Sequence, residues 1–129
     1  MIQIDLESTV PLEEQLRAGI REAIARGDVE SGQELPSSRQ LAADLGIHFN
    51  TVARAYRSMR DEGLLVIGRG RGVFVRERES SPDDPTMRRR VMDKMRDAVT
   101  EARLGGIPLE EIGGIFQDHL ESWQQEAKS

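Results

Sequence analysis

The side chains best suited to binding a polyanion lie in one window of this sequence, residues 37–76. The window holds seven arginines against three acidic residues, whereas both flanking segments are acidic and the whole chain has a formal net charge of −5. Guanidinium, amide and hydroxyl groups bind phosphates and base edges. Because phosphate binding depends on a local patch more than on total charge, the window predicts a nucleic-acid surface. Its polar candidates are Ser37, Ser38, Arg39, Asn50, Thr51, Arg54, Arg57, Arg69 and Arg71.

Catalytic and metal-binding chemistry finds no support in the residue types. The chain has no cysteine and only two histidines, which excludes disulfides, thiol nucleophiles and zinc fingers and disfavours a histidine-rich metal site. The acidic pairs Asp83-Asp84 and Glu110-Glu111 are adjacent, so regular structure points their carboxylates apart. The glycines do not follow the phosphate-loop pattern. We therefore predict no enzyme, no metal and no cofactor.

Length and composition predict one aliphatic core with a small appendage. The chain has 129 residues, of which 37% are hydrophobic and 4% aromatic. No apolar run approaches the ~20 residues of a membrane helix, and the start, MIQIDLEST, contains no basic leader. We expect a cytoplasmic protein without membrane contact.

The first part of the chain predicts a strand and then a helix. Residues 2–6 alternate apolar and polar side chains, which is typical of a short strand. Pro11 suits a first helical turn, and apolar residues recur at helical spacing from Leu12 to about Arg26, before Gly27 stops the helix. Residues 29–37 are rich in turn formers and predict a connection.

Two further helices are predicted inside the basic window. Ser37 and Ser38 can cap a short second helix that ends at Gly46. Asn50-Thr51 opens a third helix, with the polar candidates on the side away from its apolar stripe. We interpret His48, just before it, as a surface residue or weak cap that could also touch DNA. The stripe predicted to be buried consists of Val52, Ala55, Tyr56 and Met59.

The rest of the chain predicts a hairpin, a linker and two amphipathic helices. Residues 64–67 and 73–76 are β-rich runs that flank the glycine- and arginine-rich turn GRGRG. A linker over residues 77–84 precedes two helices separated by Gly105-Gly106. Both have apolar stripes that one small domain cannot cover, which predicts a homodimer. The predicted dimer contacts are Met87, Val91, Met95, Ile112, Phe116, Leu120 and Trp123.

The order of these elements predicts a winged helix-turn-helix. In that architecture a short helix braces a recognition helix in the major groove, and a hairpin wing reaches the backbone or the minor groove. We expect a mainly α fold with a small β-hairpin wing over residues 1–79, and a linker with a two-helix C-terminal dimerisation tail over residues 80–129.

The run from Pro11 to Val75 resembles the DNA-binding domain of GntR-type bacterial regulators. The resemblance rests on LPSSRQLAADLG, on NTVARAYRSMRDEGLL and on GRGVFV. The short tail resembles the YtrA-type subfamily, in which two helices after the wing form a dimerisation element and members often regulate neighbouring transporter operons. The resemblance therefore implies a homodimeric repressor of its own or a neighbouring operon, bound to an inverted-repeat operator.

Family contacts carry over only where the residues match. Arg39 corresponds to a position that commonly touches DNA, Asn50 and Thr51 match the start of the recognition helix, and Arg69-Gly70 matches the wing tip. The sequence departs from many members at His48 and Phe49, and Ala53 replaces a frequent arginine. Arg54 and Arg57 are thereby left as the main cations of that helix.

Two other interpretations stay open at the level of sequence. A winged helix can also be a protein–protein interaction module whose arginines pair with acidic partners. A small-molecule effector, of unknown identity, could bind the tail and change the geometry of the dimer.

Overall fold

The computed structural model describes residues 2–68, 72–77 and 84–127, and the chain divides into two compact units, residues 1–79 and 80–129. The first unit is a winged helix-turn-helix and the second consists of two helices. The sheet is antiparallel and three-stranded, so the predicted mainly α fold with a small wing is confirmed. The elements are α1 (Leu12–Arg26), β1 (Glu34–Leu35), α2 (Ser38–Leu45), α3 (Phe49–Asp61), β2 (Leu65–Gly68), β3 (Gly72–Val75), α4 (Pro85–Leu104) and α5 (Leu109–Ala127).

The core of the first unit combines α1, α2, α3 and the sheet. Leu16 and Ile20 of α1 are buried, and so are all four residues of the stripe predicted for α3. Two residues of α2 and three of the sheet complete the cluster, namely Leu41, Ala42, Leu65, Val73 and Val75. Burying one large aliphatic side chain is worth roughly 1.5–3 kcal/mol. The stripe therefore sets the rotation of α3 about its axis and leaves the opposite face in solvent.

Local capping defines where α2 and α3 begin. The Ser37 side chain accepts a hydrogen bond of 3.1 Å from the Gln40 backbone N–H, as predicted for a cap of α2. His48 caps α3, because its Nδ1 accepts a 3.1 Å hydrogen bond from the Asn50 backbone N–H. The helix consequently begins at Phe49, one residue before the predicted start.

The wing contains a strand that the sequence did not predict. The strand order is β1-β3-β2, in which Glu34 pairs with Phe74 and Leu65 with Val75. A two-residue strand is too short to show alternation, so β1 is defined only by its pairing with β3. The predicted hairpin strands are confirmed as β2 and β3, whereas the residues between them, 69–71, lie outside the described residues.

The strand predicted over residues 2–6 was wrong. This segment is irregular, because the Gln15 side chain takes the place of a neighbouring strand. Its Oε1 accepts from the Asp5 N–H at 2.8 Å, and its Nε2 donates to the Asp5 and Val10 carbonyls at 3.0 and 2.8 Å. The alternating apolar residues of this segment are instead partly buried, since Ile2 and Ile4 pack against the core.

The second unit presents apolar side chains on both of its helices. Asp84 caps α4 by accepting a 3.0 Å hydrogen bond from the Thr86 N–H, and Gly106, with φ of 88°, provides the left-handed turn before α5. None of the described side chains of α4 and α5 is buried. Helix α5 continues through Gly113-Gly114. Among the helices that the structure describes, none is long and apolar enough to cross a membrane.

Candidate nucleic-acid interface

The predicted polar face of α3 is present in the folded unit. Asn50, Arg54 and Arg57 are exposed and fall on the side of the helix opposite the buried stripe. Thr51 lies beside them and is half-buried. An amide, a guanidinium and a hydroxyl with a methyl group are the groups that read base edges in the major groove. The fold therefore brings together all four predicted residues of α3.

The start of α2 is adjacent to the start of α3. Arg39 is exposed, Ser38 is half-buried, and the Ser37 side chain is used as a cap. Free backbone N–H groups and the helix dipole make such a start favourable for a phosphate. The buried Tyr56 ties the two helices together, since its hydroxyl donates a 2.8 Å hydrogen bond to the Pro36 carbonyl. Burial raises the pKa of Tyr56 from 10.0 to about 12.

Phe49 contacts two predicted site residues, although the sequence did not indicate it as part of the candidate interface. Its ring stacks on His48, with centroids 5.2 Å apart and planes 21° apart, and the Arg39 guanidinium carbon lies 4.9 Å from its centroid. Phe49 is nevertheless 38% exposed. Cations over exposed aromatic rings gain about 0.5–1 kcal/mol. The ring therefore links Arg39 of α2 to the capping histidine of α3. Helical spacing aligns Phe49 with Val52 and Tyr56 of the stripe, so periodicity alone gave no signal that its ring would be exposed.

Arg54 has an acidic neighbour on α1 that the sequence did not indicate. Its Nε lies 3.5 Å from Oε2 of Glu13. The two residues are 41 positions apart in sequence, so only the packing of α1 on α3 brings them together. Arg57, in contrast, has no partner among the residues that the structure describes. Arg60 pairs with the neighbouring Asp61 at 3.3 Å.

Three predicted site residues lie outside the described residues. Arg69, Gly70 and Arg71 belong to the connection between β2 and β3, which end and begin at Gly68 and Gly72. Their contact with DNA stays a prediction. Within the described ranges there is also no cluster of three or more residues that could hold a metal ion.

The predicted dimerisation residues lie on the surface of the second unit. Met87, Val91 and Met95 of α4 and Phe116, Leu120 and Trp123 of α5 are exposed, and Ile112 is half-buried. Further large apolar side chains, Met92, Val99 and Ile115, are exposed on the same helices. An apolar surface of this extent is typical of an interaction site rather than of a solvated face.

Sequence comparisons show which known proteins the chain is similar to. The family model for bacterial regulatory proteins of the gntR family matches residues 12–75. The HTH-type transcriptional repressor YtrA of Bacillus subtilis strain 168 is 30% identical over 112 residues, which are 87% of this chain and 86% of that protein.

Solved structures show the same similarity. YtrA from Sulfolobus acidocaldarius, a GntR-family transcription factor, superimposes with a TM-score of 0.58 and 37% identity, over 73% of this chain and 95% of that one. The DNA-binding domain of AraR in complex with operator ORE1 has a TM-score of 0.50 and 25% identity, over 58% of this chain and 92% of that one.

Proposed function

This chain belongs to the gntR family of bacterial regulatory proteins and is a DNA-binding transcriptional regulator, and we propose that it acts as a homodimeric repressor of its own or a neighbouring operon. YtrA of Bacillus subtilis, whose match spans 87% of this chain, is named a transcriptional repressor, which supports repression. The same subfamily resemblance points to a transporter operon as the regulated unit. Because the operator of a bacterial operon lies in the cytoplasm, the proposal also places the protein in the cytoplasm.

The observation that carries the proposal is the composition of the outward face of α3. Its exposed residues, Asn50, Arg54 and Arg57, are hydrogen-bonding groups on a helix whose opposite face is buried, so the fold holds them in a fixed orientation. We propose that Asn50 binds adenine, that Arg54 binds guanine and that the Thr51 methyl group contacts thymine.

Phosphate contacts would fix the register of α3 in the groove. We assign them to the start of α2, with Ser37, Ser38 and Arg39, and to the wing residues Arg69, Gly70 and Arg71. Arg57 and His48 would lie at the edge of the recognition surface. AraR, whose DNA-binding domain has the same fold, has been crystallised with an operator, which supports this use of the fold.

The homodimer would form through the apolar stripes of α4 and α5. These stripes have no cover within their own unit, and Gly113 and Gly114 have nothing within 4 Å of their Cβ positions. A second helix could therefore approach that segment closely, and a twofold arrangement would bury the same stripe on both copies. A twofold dimer reads two related half-sites, so we propose an inverted-repeat operator.

A gel-shift titration tests the proposed function. The probe is the duplex upstream of the protein's own gene, and a scrambled duplex of equal length and composition is the competitor. We expect a discrete shifted band that the scrambled duplex does not compete away. Equal competition by both duplexes would contradict sequence-specific binding and would favour the alternative of a protein-binding module.

A further inference from the structure

We infer that Glu13 of α1 is a specificity-determining residue of the DNA interface. Its carboxylate positions the Arg54 guanidinium for a base contact and opposes the use of Arg54 as a general phosphate clamp. The inference rests on the proposed function and adds to it a residue outside α2, α3 and the wing.

The atoms that meet in this pair leave the base-reading edge of Arg54 available. Glu13 Oε2 lies 3.5 Å from Arg54 Nε, the guanidinium nitrogen that is bonded to the aliphatic part of the side chain. The two terminal nitrogens, Nη1 and Nη2, donate no hydrogen bond to any of the described residues. A guanine accepts two parallel hydrogen bonds from one arginine through its O6 and N7 atoms. Pairing through Nε is therefore compatible with a bidentate contact through the terminal nitrogens.

The pair is held by a rigid frame. Leu16, three residues after Glu13, is fully buried in the core. Further along the same helix, Arg17 Nη1 lies 3.2 Å from Ser58 Oγ, and Arg21 Nη1 lies 2.7 Å from Glu62 Oε2. These contacts join α1 to α3 at successive turns beyond the pair. The position of Glu13 beside Arg54 thus follows from the packing of the two helices.

The environment of the pair explains why it can affect specificity more than stability. The Arg54 side chain is 56% exposed and that of Glu13 is 34% exposed, and exposed ion pairs contribute little to folding. Exclusion of water on DNA binding lowers the local dielectric and strengthens such an interaction.

The negative charge of Glu13 acts on the two binding modes differently. Non-specific binding depends on contacts to phosphates, which a neighbouring carboxylate repels. In the base-contacting mode the guanidinium stays beside Glu13 and compensates that charge. A group that penalises the wrong complex raises specificity even where it adds no affinity for the right one.

The experiment compares Glu13→Gln with the matched control Glu14→Gln in the full-length chain. Glu14 lies in the same first turn of α1, is exposed and has no partner among the described residues. Its replacement therefore removes an equal charge from an equivalent position near the positive end of the helix dipole. Affinities are measured at one salt concentration for a duplex that the parent selects from a randomised pool and for a scrambled duplex.

We expect Glu14→Gln to change both affinities by the same factor. Glu13→Gln should bind the scrambled duplex more tightly and lower the ratio of the two affinities by about two- to tenfold, the lower part of the range for coupled neighbouring side chains. In an Arg54→Ala background, the two glutamine variants should have the same ratio. The Hε–Nε signal of Arg54 in NMR spectra of the free protein should shift in Glu13→Gln and stay unchanged in Glu14→Gln.

The outcomes separate the inference from the proposed function. If the parent selects a duplex and discriminates it, but both variants keep the parent's ratio, the role of Glu13 is refuted and the function stands. If the parent selects no sequence, both fail. An unchanged Arg54 signal in a folded Glu13→Gln variant also counts against the pair.

Discussion

In the proposed interface, Arg54 is the cation on which base reading by α3 would depend most, because Phe49 and Ala53 carry no charge. We predict that Arg54→Ala weakens binding to the selected duplex by about 1–3 kcal/mol and binding to random DNA by much less. Arg60→Ala is the matched control, since Arg60 lies on the same helix but pairs with Asp61. The two affinities of each variant are compared at one salt concentration. Equal losses of Arg54→Ala on both duplexes would make Arg54 a backbone contact and leave specificity to Asn50 and Thr51.

Tyr56 links the stability of the fold to alkaline pH. Burial raises its pKa from 10.0 to about 12, so the folded state favours the neutral phenol. The stabilisation is fully present below pH 10 and is lost as the pH rises towards about 12, because the unfolded chain releases this proton first.

We predict that Tyr56→Phe is less stable than the parent by about 0.5–1.5 kcal/mol at neutral pH, since the hydrogen bond to the Pro36 carbonyl is lost. Between pH 10 and about 12 the variant should lose less stability than the parent, so the two curves converge. Urea unfolding across this pH range measures the difference. Because the chain has one tyrosine, its ultraviolet titration reports this group directly. Parallel curves, or a midpoint near 10 in the folded protein, would contradict the linkage.

For the helices and strands, the spacing of apolar residues along the sequence determined which of them could be predicted. The stripe of α3 and the ends of α1 at Gly27 and of α2 at Gly46 were correct, because apolar spacing and left-handed glycines are local signals. Strand β1 could not be predicted, since its two residues have no pattern of their own. The strand expected over residues 2–6 was wrong because the side chain of Gln15, in the following helix, forms the hydrogen bonds with the Asp5 backbone that a neighbouring strand would have formed.

The same distinction between local signals and tertiary packing applies to the candidate site. The polar face of α3 followed from its buried stripe, whereas Glu13 beside Arg54 depends on how α1 packs against α3. The contact of Arg39 with Phe49 likewise needs α2 and α3 to be in place. Residue types and local spacing thus predict which groups face the solvent, and tertiary packing decides which of them meet.

We predict that the capping hydrogen bond of His48 at the start of α3 contributes to the stability of the fold. His48→Ala removes the acceptor for the Asn50 N–H and should lower the free energy of unfolding by about 1 kcal/mol. His48→Asn should retain most of the stability, because asparagine is a preferred cap. Denaturant unfolding of both variants at neutral pH measures this effect. If both variants lose the same stability, the capping bond contributes nothing and the histidine matters for another reason.

At the scale of the whole molecule, charge and apolar surface are segregated along the chain. The basic window lies in the first unit, and the uncovered apolar stripes lie in the second. A single DNA-binding unit contacts one half-site, and joining two units makes the second contact intramolecular, which raises affinity without any new contact to DNA. In the proposed homodimer, the tail would therefore affect operator binding through assembly.

This dependence predicts the behaviour of a Phe116→Glu variant of the full-length chain. A buried carboxylate at a dimer contact would be strongly unfavourable, so the variant should scatter light as a 14.5 kDa monomer at micromolar concentration, where the parent has about twice that mass. Its affinity for an inverted-repeat duplex should fall by roughly 100-fold or more, while its affinity for a single half-site should stay close to the parent's. Gln117→Glu is the matched control, because it places the same charge one residue along α5, at an exposed polar position. Truncation after Glu79 should reproduce the variant and leave a folded monomer with weak DNA affinity. A monomeric parent, or a Phe116→Glu variant that stays dimeric, would show that these stripes do not hold the dimer.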